Sequence, residues 1–247
     1  MTEVFGEVAD LYDDVRPGYP DEVGEAIAAY AGGNGGTTGV GTAVEIGAGT
    51  GKATRIFARL AENLTAVEPD ARMAEVLKAK FPRVAVETAR FEDWTPPAGG
   101  VDLVGCAMAW HWTDPQTRNR RAFEALRPGG TLAIIGRRYG HGDPEQAARI
   151  DEFLSGVNPG SGDHDEGWVV GDLQRSRLWT DLREWNRHDL VPYSKQRFLA
   201  LHRTFSPYRR SSPEKKERIM AGLGELLDDF GGEVVQDLYT FVVLAKR

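Results

Sequence analysis

Cysteine is almost absent from this sequence, since Cys106 is the only one among its 247 residues. One cysteine can form neither an intramolecular disulfide nor a metal site built from several thiolates. The neighbouring residues, DLVG before it and AMA after it, are mostly small or apolar. We therefore predict that Cys106 is a small core residue at the end of a buried strand.

The sequence also has no excess of positive charge. It contains 30 lysines and arginines against 37 aspartates and glutamates, which gives a formal net charge of -7. Proteins that bind nucleic acids usually present a basic surface, so we expect no nucleic-acid partner. Arg118, Arg120 and Arg121 fall on a predicted helix, where we expect a solvated basic face and not a track for phosphates.

Long apolar runs are missing as well. No stretch of about 18 apolar residues occurs anywhere in the chain. The opening residues, MTEVFGEVAD, contain no basic segment followed by an apolar one. We therefore expect a cytoplasmic protein without a membrane partner.

The sequence lacks the spacing of a metal site. Asp163, His164, Asp165 and Glu166 are consecutive, and adjacent loop residues seldom converge on one ion. No His-x-x-His pair accompanies them. We expect a solvated loop here and no bound metal.

Short apolar stretches alternate with amphipathic ones in the first half of the chain. The pattern predicts strands at Thr42–Ile46, Leu64–Glu68, Val84–Glu87, Val101–Ala107 and Thr131–Gly136. Helices with one apolar face are predicted between these strands. Repeated β-α units of this kind indicate an α/β fold, with helices on both faces of a parallel sheet.

This pattern divides the chain into four segments. Residues 1–41 are expected to form an N-terminal helical segment with a glycine-rich linker, and residues 42–138 to form the core of the sheet. Residues 139–207 are expected to form a cap that contains one strand near EWNRHDL. Residues 208–247 contain a helix and the strand-like stretch LYTFVVLAKR, which would complete the core at the sheet edge. The RPGG motif at Arg127–Gly130 is predicted to be a turn between a helix and a strand.

The most informative segment is AVEIGAGTGKAT, residues 43–54. Here an apolar strand leads into Gly47, Gly49 and Gly51 and then into an amphipathic helix. Glycines permit positive φ angles and let the backbone approach a ligand closely. The first turn of the following helix supplies N–H groups without intrahelical partners. The segment therefore predicts a loop that holds a ligand.

Two common ligand classes fit this loop poorly. A Walker loop would need glycine at position 46 and serine or threonine at position 53, where this chain has Ile46 and Ala53, so ATP and GTP cleavage are not expected. A dinucleotide fingerprint that begins at Gly47 would need a third glycine where Lys52 stands. An NAD-dependent oxidoreductase is thereby disfavoured, but it stays an alternative.

The spacing G-x-G-x-G, with Glu45 before it and Glu68 at the end of the next strand, resembles the pattern of class I methyltransferases that use S-adenosylmethionine (SAM). Within that class the chain is similar to the methyltransferase type 11 group, over roughly residues 5 to 137. The resemblance implies a Rossmann-like, doubly wound, seven-stranded and mostly parallel sheet with a helical cap and an N-terminal lid. It also implies SAM as cofactor and in-line methyl transfer. A non-catalytic SAM-binding protein is a further alternative.

Two acids support the choice of SAM. Because SAM bears an ammonium and a sulfonium group, Glu45 suits it better than it suits a pyrophosphate. Glu68 lies about 20 residues beyond the loop, at the spacing where a carboxylate accepts hydrogen bonds from both ribose hydroxyls. The remaining cofactor contacts that the resemblance implies near these acids are Gly47, Ala48, Gly49, Thr50, Gly51 and Pro69.

A segment near the N-terminus matches the family as well. YDDVRPGYP, from Tyr12 to Pro20, resembles the lid that folds over the bound cofactor in one branch of the group. The resemblance implies that Tyr12 and Arg16 approach the methionine carboxylate of SAM, with the guanidinium of Arg16 as a planar fork.

Two further segments are assigned by the resemblance to the adenine and to the acceptor. ARFEDW, residues 89–94, corresponds to the adenine edge and implies Phe91 and Glu92 as contacts, with Asp93 as the alternative to Glu92. Met73 is expected either beneath the adenine or in the core.

AMAWHWTDP resembles the HW element of the family, which follows the fourth strand. It implies that Ala107 lines the methionine pocket and that His111 and Trp112 face the acceptor. His111 could accept a proton from that acceptor, or it could form a pocket wall. We expect a small-molecule acceptor, whose identity the sequence does not indicate, and the oligomeric state is not predicted.

Overall fold

The computed structural model describes residues 3–32, 40–157 and 167–247. Most of the glycine-rich linker and the cluster Asp163, His164, Asp165 and Glu166 lie outside the described residues. Within these ranges, no group of three or more His, Cys, Asp or Glu side chains is placed to hold a metal ion. No helix in the same ranges has both the length and the apolar composition that a membrane crossing requires.

The strands are β1 Val40–Ile46, β2 Ala61–Val67, β3 Ala85–Glu87, β4 Val101–Ala107, β5 Leu126–His141, β6 Thr180–Ser194 and β7 Glu233–Lys246. They form one seven-stranded sheet in the order β3-β2-β1-β4-β5-β7-β6. Strand β1 pairs in parallel with β2 and with β4, and the pairs β2–β3 and β4–β5 are also parallel. The predicted Rossmann-like, mostly parallel sheet is therefore confirmed. The chain order reverses between β1 and β4, which is where open sheets of this kind bind ligands.

The helices are α1 Glu3–Gly6, α2 Ala9–Val15, α3 Asp21–Ala31, α4 Thr54–Leu60, α5 Ala71–Lys80, α6 Arg118–Ala125, α7 Pro144–Val157, α8 Trp168–Ser176, α9 Lys195–His202, α10 Ser206–Arg209 and α11 Pro213–Asp229. Helices α5 and α11 begin with side-chain caps. Asp70 accepts a hydrogen bond from the N–H of Arg72 at the start of α5, and Ser212 accepts one from Lys215 before Pro213 opens α11. Local sequence thus fixes where these helices begin.

The chain folds into two compact units. One, here called the glycine-loop unit, comprises Pro17–Gly136, Asp165–Asn186 and Phe241–Arg247, and the other, the second unit, comprises Met1–Arg16, Arg137–His164 and Arg187–Thr240. The long strands β5, β6 and β7 each contribute residues to both units.

The core of the glycine-loop unit lies on both faces of its strands. Along β4, Leu103 packs in one apolar cluster, whereas Val104 and Cys106 pack in the other. This alternation follows from the two-residue period of a strand. Helices α3 and α4 cover the first face, and α6 and α8 cover the second. Cys106 is fully buried, as predicted, and burial raises the pKa of its thiol to about 12.

The second unit has its own apolar core. Side chains from α7, α9 and α11 pack there with residues of β6 and β7. Among the largest buried side chains are Tyr193 and Phe198. Within the segment 139–207, which was expected to be mostly helical, the helices are α7, α8, α9 and the start of α10.

The predicted edge position of the C-terminal strand was wrong. The stretch LYTFVVLAKR is part of β7, which lies between β5 and β6, so β6 forms this edge of the sheet. The strand expected near EWNRHDL is present as β6, which extends beyond that stretch in both directions. Its alternating exposed and half-buried residues include many charged side chains, so the sequence pattern did not show its full length. The RPGG motif is not a simple turn before β5. Leu126 already pairs with Val101, and the motif forms an irregularity before Thr131 pairs with Leu103.

Candidate functional site

The glycine loop follows β1 and lies at the carboxyl end of the parallel strands. Gly47, Gly49 and Gly51 have φ angles of 65°, 58° and 88°, a region that favours glycine. A Cβ atom on Gly47 would lie 2.4 Å from the Cβ of Ala109, which is closer than two side chains can approach. The loop therefore needs glycine both for its backbone conformation and for its contact with the segment after β4.

Backbone hydrogen bonds join this loop to the end of β2. The N–H groups of Gly47 and Ala48 both donate to the carbonyl oxygen of Val67, over 2.8 and 3.2 Å. The N–H of Gly49 donates to Oε2 of Glu68 over 2.8 Å, and the N–H of Asp70 donates to Oε1 over 2.9 Å. The predicted loop and the predicted strand-end acid are thus brought together.

The carboxyl group of Glu68 is largely buried, with 6% of the residue exposed. Burial raises its pKa, whereas the hydrogen bonds from the N–H groups of Asp70 and Gly49 act in the opposite sense. A carboxylate has about four lone-pair positions, and these two donors use two of them. Glu68 therefore keeps the capacity to accept two more hydrogen bonds.

Thr50 lies in the middle of the loop and is almost completely buried. Its hydroxyl Oγ1 has no hydrogen-bond partner among the described residues, and its carbonyl oxygen accepts a hydrogen bond from Nζ of Lys80 over 3.0 Å. Buried hydroxyls without partners are rare, and they indicate a ligand or a water molecule. The methyl group of Met73 lies beside Gly49, 3.5 Å from where a Cβ atom would stand, and Ala48 is also buried.

Glu45 is buried beneath the loop with 1% of its surface exposed. The hydroxyl of Thr54 donates to its Oε2 over 2.5 Å. Burial raises the pKa of Glu45 to about 8, and the nearby charge of Glu68 contributes in the same direction. Burial therefore favours the uncharged form of Glu45, which the sequence had not predicted.

The adenine-edge segment predicted from the sequence is held in place by Arg121. Its guanidinium donates to the carbonyl oxygens of Phe91 and Trp94, with distances between 2.6 and 3.1 Å. Oε1 of Glu92 accepts a hydrogen bond from the N–H of Asp114 over 2.8 Å. The carboxylate of Glu92 thus joins this segment to the stretch after the HW element.

The HW element forms a 3₁₀ turn, Trp110–Trp112, just after β4. Trp110 is buried, whereas His111 and Trp112 are partly exposed with ring centroids 4.8 Å apart. The ring of Trp168 lies 6.4 Å from that of His111. Ala107, at the end of β4, is also partly exposed. These rings form a partly exposed aromatic surface at the carboxyl edge of β4.

A buried ion pair between Arg118 and Asp172 holds Trp110 of this turn in place. Asp172 on α8 accepts hydrogen bonds from Nη2 and Nε of Arg118, over 2.5 and 3.0 Å, and from the indole N–H of Trp110 over 3.0 Å. Asn119 donates to the same carboxylate, and the indole N–H of Trp179 donates to Asn119. Burial opposes ionisation of Asp172, but the Arg118, Trp110 and Asn119 hydrogen bonds hold its pKa below the usual value.

This network corrects the sequence prediction for the arginine run. Arg118 is 7% exposed and ion-paired, and Arg121 binds backbone carbonyls. Of the three arginines, Arg120 is exposed as expected, so the solvated face is limited to that residue. Sequence analysis missed Asp172 as a supporting residue because it follows Arg118 by 54 positions and no motif connects them.

Tyr12 and Arg16 belong to the second unit. Arg16 donates from Nε to Oγ1 of Thr204 over 2.8 Å and from Nη2 to the carbonyl oxygen of Thr204 over 3.1 Å. Its guanidinium carbon lies 5.0 Å from the ring centroid of Tyr12. Contact of these two residues with a cofactor stays a prediction.

Residues 44–134 match a family model described as a methyltransferase domain. An uncharacterized methyltransferase of Schizosaccharomyces pombe is 28% identical, over 90% of this chain and 85% of the relative. One from Mycobacterium tuberculosis is 31% identical over 55% of this chain, and the chain spans about half the length of that relative, 52%.

The fold comparison agrees with the sequence comparison. A solved structure from Anaeromyxobacter dehalogenans, assigned as a type II methyltransferase, has a TM-score of 0.68 at 20% identity and covers 94% of this chain and 97% of its own. Phosphoethanolamine N-methyltransferase 2 of Haemonchus contortus has a TM-score of 0.57 at 17% identity, over 98% of this chain and 57% of its own. Residues 44–134 are therefore similar in sequence to a methyltransferase domain, as the resemblance of the glycine-loop region predicted, and the sheet order is that of a Rossmann-like fold.

Proposed function

We propose that this chain is a methyltransferase that transfers the methyl group of SAM to a small-molecule acceptor. The main observation behind the proposal is the hydrogen bond between the glycine loop and the carboxylate of Glu68. A buried carboxylate with free acceptor capacity lies at the end of β2, bonded to the N–H of Gly49. The relatives named as methyltransferases support the same conclusion.

The residues around the loop fit SAM. Glu68 would accept hydrogen bonds from the ribose hydroxyls, and the unpartnered hydroxyl of Thr50 offers a further polar contact in the loop. Gly47 and Gly49 carry no side chain that would keep a ligand from the backbone. The structural neighbour from Haemonchus contortus was solved with SAM bound, which supports this assignment.

Glu45 would respond to the positive charge of such a ligand. A cation close to a buried carboxyl group lowers its pKa, because the charged form gains an opposite charge. Glu45 would then lose the proton that burial makes it keep in the cofactor-free protein. The preference of Glu45 for a positively charged ligand over a pyrophosphate therefore applies when SAM is bound.

The other predicted contacts are carried forward as part of the proposal. They are Tyr12, Arg16, Ala48, Gly51, Pro69, Met73, Phe91, Glu92 and Ala107 for the cofactor, and His111 and Trp112 for the acceptor. The partly exposed rings of His111, Trp112 and Trp168 would exclude water from one wall of the acceptor site. SAM itself supplies an activated methyl group on its sulfonium, so the protein mainly positions the acceptor for in-line transfer.

The test is turnover with SAM that carries a deuterated methyl group. The purified protein is incubated with this SAM and a mixture of small metabolites, and mass spectrometry follows S-adenosylhomocysteine and deuterated products. We expect both to increase over a sample without metabolites. Binding of SAM without any product would favour a non-catalytic protein and would contradict the proposal.

A further inference from the structure

Arg121 connects α6 to the adenine-edge segment within the glycine-loop unit. Its Nε and Nη2 atoms donate to the carbonyl oxygen of Phe91, and Nη2 also donates to the carbonyl oxygen of Trp94. Its guanidinium carbon lies 5.5 Å from the centroid of the Phe91 ring. Phe91 and Trp94 are both buried, so the residues that carry these carbonyls are well packed. A planar fork that binds both carbonyls fixes the backbone before and after Glu92 and Asp93.

The backbone between these two carbonyls forms a tight turn. The N–H groups of Asp93 and Trp94 both donate to the carbonyl oxygen of Arg90, over 3.1 and 3.0 Å. The N–H of Glu92 takes no part in these two hydrogen bonds. It belongs to the same planar trans peptide as the carbonyl of the preceding residue, and in such a peptide the N–H and the C=O are directed to opposite sides. Because Arg121 binds that carbonyl, it also fixes the direction of the Glu92 N–H.

The carboxylate of Glu92 lies beside this N–H. Burial acts to raise the pKa of Glu92, but hydrogen bonds from the N–H groups of Asp114 and of Glu92 itself, and from the side chain of Arg90, hold the pKa below its usual value. A charged carboxylate accepts hydrogen bonds and cannot donate them. Glu92 therefore presents a donor and an acceptor next to each other.

The edge of adenine is complementary to such a pair of groups. Adenine carries an acceptor at N1 and a donor, the amino group, at N6, whereas hypoxanthine carries a donor at N1 and an acceptor at O6. The groups that pair with adenine would therefore meet hypoxanthine donor to donor and acceptor to acceptor. This discrimination depends on the orientation of the Glu92 N–H, because a hydrogen bond weakens steeply as its angle departs from linear.

We propose that Arg121 is a positioning residue for the recognition of adenine. It acts through the peptide between Phe91 and Glu92, which it holds in the orientation that binds N1 and N6 of the base, and not by contact with the base itself. The inference rests on the proposed function, since it concerns the adenine of the same SAM molecule. The sequence had predicted only a solvated basic face for this arginine.

The experiment is calorimetric titration of the full chain with S-adenosylhomocysteine and with its hypoxanthine analogue, S-inosylhomocysteine. For the unaltered protein we expect S-adenosylhomocysteine to bind at least about tenfold more tightly, because the analogue leaves the donor and the acceptor of Glu92 without partners. This comparison needs no variant, so it does not depend on the folding of an altered chain. Equal affinities for the two ligands would overturn the inference.

Arg121→Lys measures the contribution of the fork. Lysine keeps the positive charge, but its single ammonium group does not hold two carbonyl oxygens in one plane. We expect the affinity for S-adenosylhomocysteine to fall about tenfold and the affinity for S-inosylhomocysteine to change less than about twofold, so that the preference for adenine is largely lost. A general structural role would weaken the binding of both ligands by the same factor. That result, or an unchanged preference, would contradict the inference.

Arg120→Lys is the matched control, because Arg120 is the neighbouring residue on α6 and its side chain is exposed. We expect it to bind both ligands like the unaltered protein, and an equal loss of preference in this control would also overturn the inference. Thermal unfolding shows whether each variant is folded. If Arg121→Lys does not fold, Arg121→Gln takes its place with the same expected result, since its amide has no fork that spans both carbonyls.

Failure of the proposed function gives a different result. In that case S-adenosylhomocysteine does not bind to the unaltered protein, or it binds and the turnover experiment yields no methylated product. Failure of the inference alone leaves S-adenosylhomocysteine bound and turnover intact, with a preference over S-inosylhomocysteine that is absent or does not depend on Arg121.

Discussion

At the scale of single residues, Glu68 is proposed to contact the ribose hydroxyls of SAM directly. We expect Glu68→Gln to weaken binding of S-adenosylhomocysteine by about 1 to 3 kcal/mol, because a charged acceptor for the ribose hydroxyls is lost. The amide would also present a donor toward the N–H of Gly49 or Asp70, both of which now donate to the carboxylate. Isothermal titration calorimetry measures the change.

The matched control is Glu87→Gln. Glu87 ends β3 as Glu68 follows β2, but its side chain is exposed. We expect this variant to bind S-adenosylhomocysteine like the unaltered protein. Equal affinities for the two variants would remove Glu68 from the cofactor site.

Glu45 gives the cofactor-free protein a pH-dependent stability. Burial raises the pKa of its carboxyl group to about 8 in the folded chain, whereas in the unfolded chain it lies near the ordinary value for glutamate. The stabilising contribution of the protonated group is complete below the unfolded pKa, and it is lost as the pH rises toward the folded one. Glu45→Gln cannot ionise, so it escapes this loss.

We therefore expect the free energy of unfolding of Glu45→Gln to rise relative to the unaltered protein between about pH 5 and pH 8, by up to about 1.4 kcal/mol per pH unit. Urea unfolding across this range checks the prediction. A difference between the two proteins that does not change with pH would show that Glu45 keeps an ordinary pKa.

The sequence was informative about these two residues only in part. The position of Glu68 after a strand and about 20 residues beyond the loop predicted its place beside the glycines, because parallel strands bring their carboxyl ends together. The protonation of Glu45 could not be predicted, since it depends on burial by residues distant in the chain and on the hydroxyl of Thr54.

At the scale of elements, the 3₁₀ turn Trp110–Trp112 is fixed by α6 and α8. Asp172→Ala would leave the guanidinium of Arg118 buried without its charged partner. We expect a loss of about 3 to 5 kcal/mol in the free energy of unfolding, measured in urea. The effect arises because the remaining charge loses its ion pair but stays away from water.

Asp21→Ala is the control for this prediction. Asp21 pairs with Arg55 and Arg59 on an exposed surface, where 59% of its side chain is accessible. Water replaces such partners easily, so we expect a loss below about 1 kcal/mol. Similar losses for Asp172→Ala and Asp21→Ala would contradict a buried, supporting role of the Asp172 network.

Helices and strands were predicted well where the apolar residues of a segment form a clear pattern. Strand β4 was predicted with its observed bounds, because it is apolar except for Asp102 and buried on both faces. Strand β6 was underestimated because its charged residues hide the alternation. The place of β7 between β5 and β6 could not be predicted, since strand order depends on long-range pairing that a linear pattern does not encode.

At the scale of the whole molecule, the Rossmann-like sheet follows from the repeated β-α pattern, and the glycine loop lies at the point where the strand order reverses. The acceptor was not predictable, because His111 and Trp112 of the HW element indicate where an acceptor would lie but do not specify which molecule binds there. Similarity to a methyltransferase domain does not determine the acceptor, since one fold serves many reactions.

The central claim is that the loop of Gly47, Gly49 and Gly51 with Glu68 holds the nucleoside of SAM. Calorimetric titration with S-adenosylhomocysteine and, in parallel, with NADH tests it most directly, because both ligands carry an adenosine but only one carries a pyrophosphate. We predict that S-adenosylhomocysteine binds with a Kd below about 1 mM and that NADH does not bind in the same range. Binding of NADH together with no binding of S-adenosylhomocysteine would contradict the account.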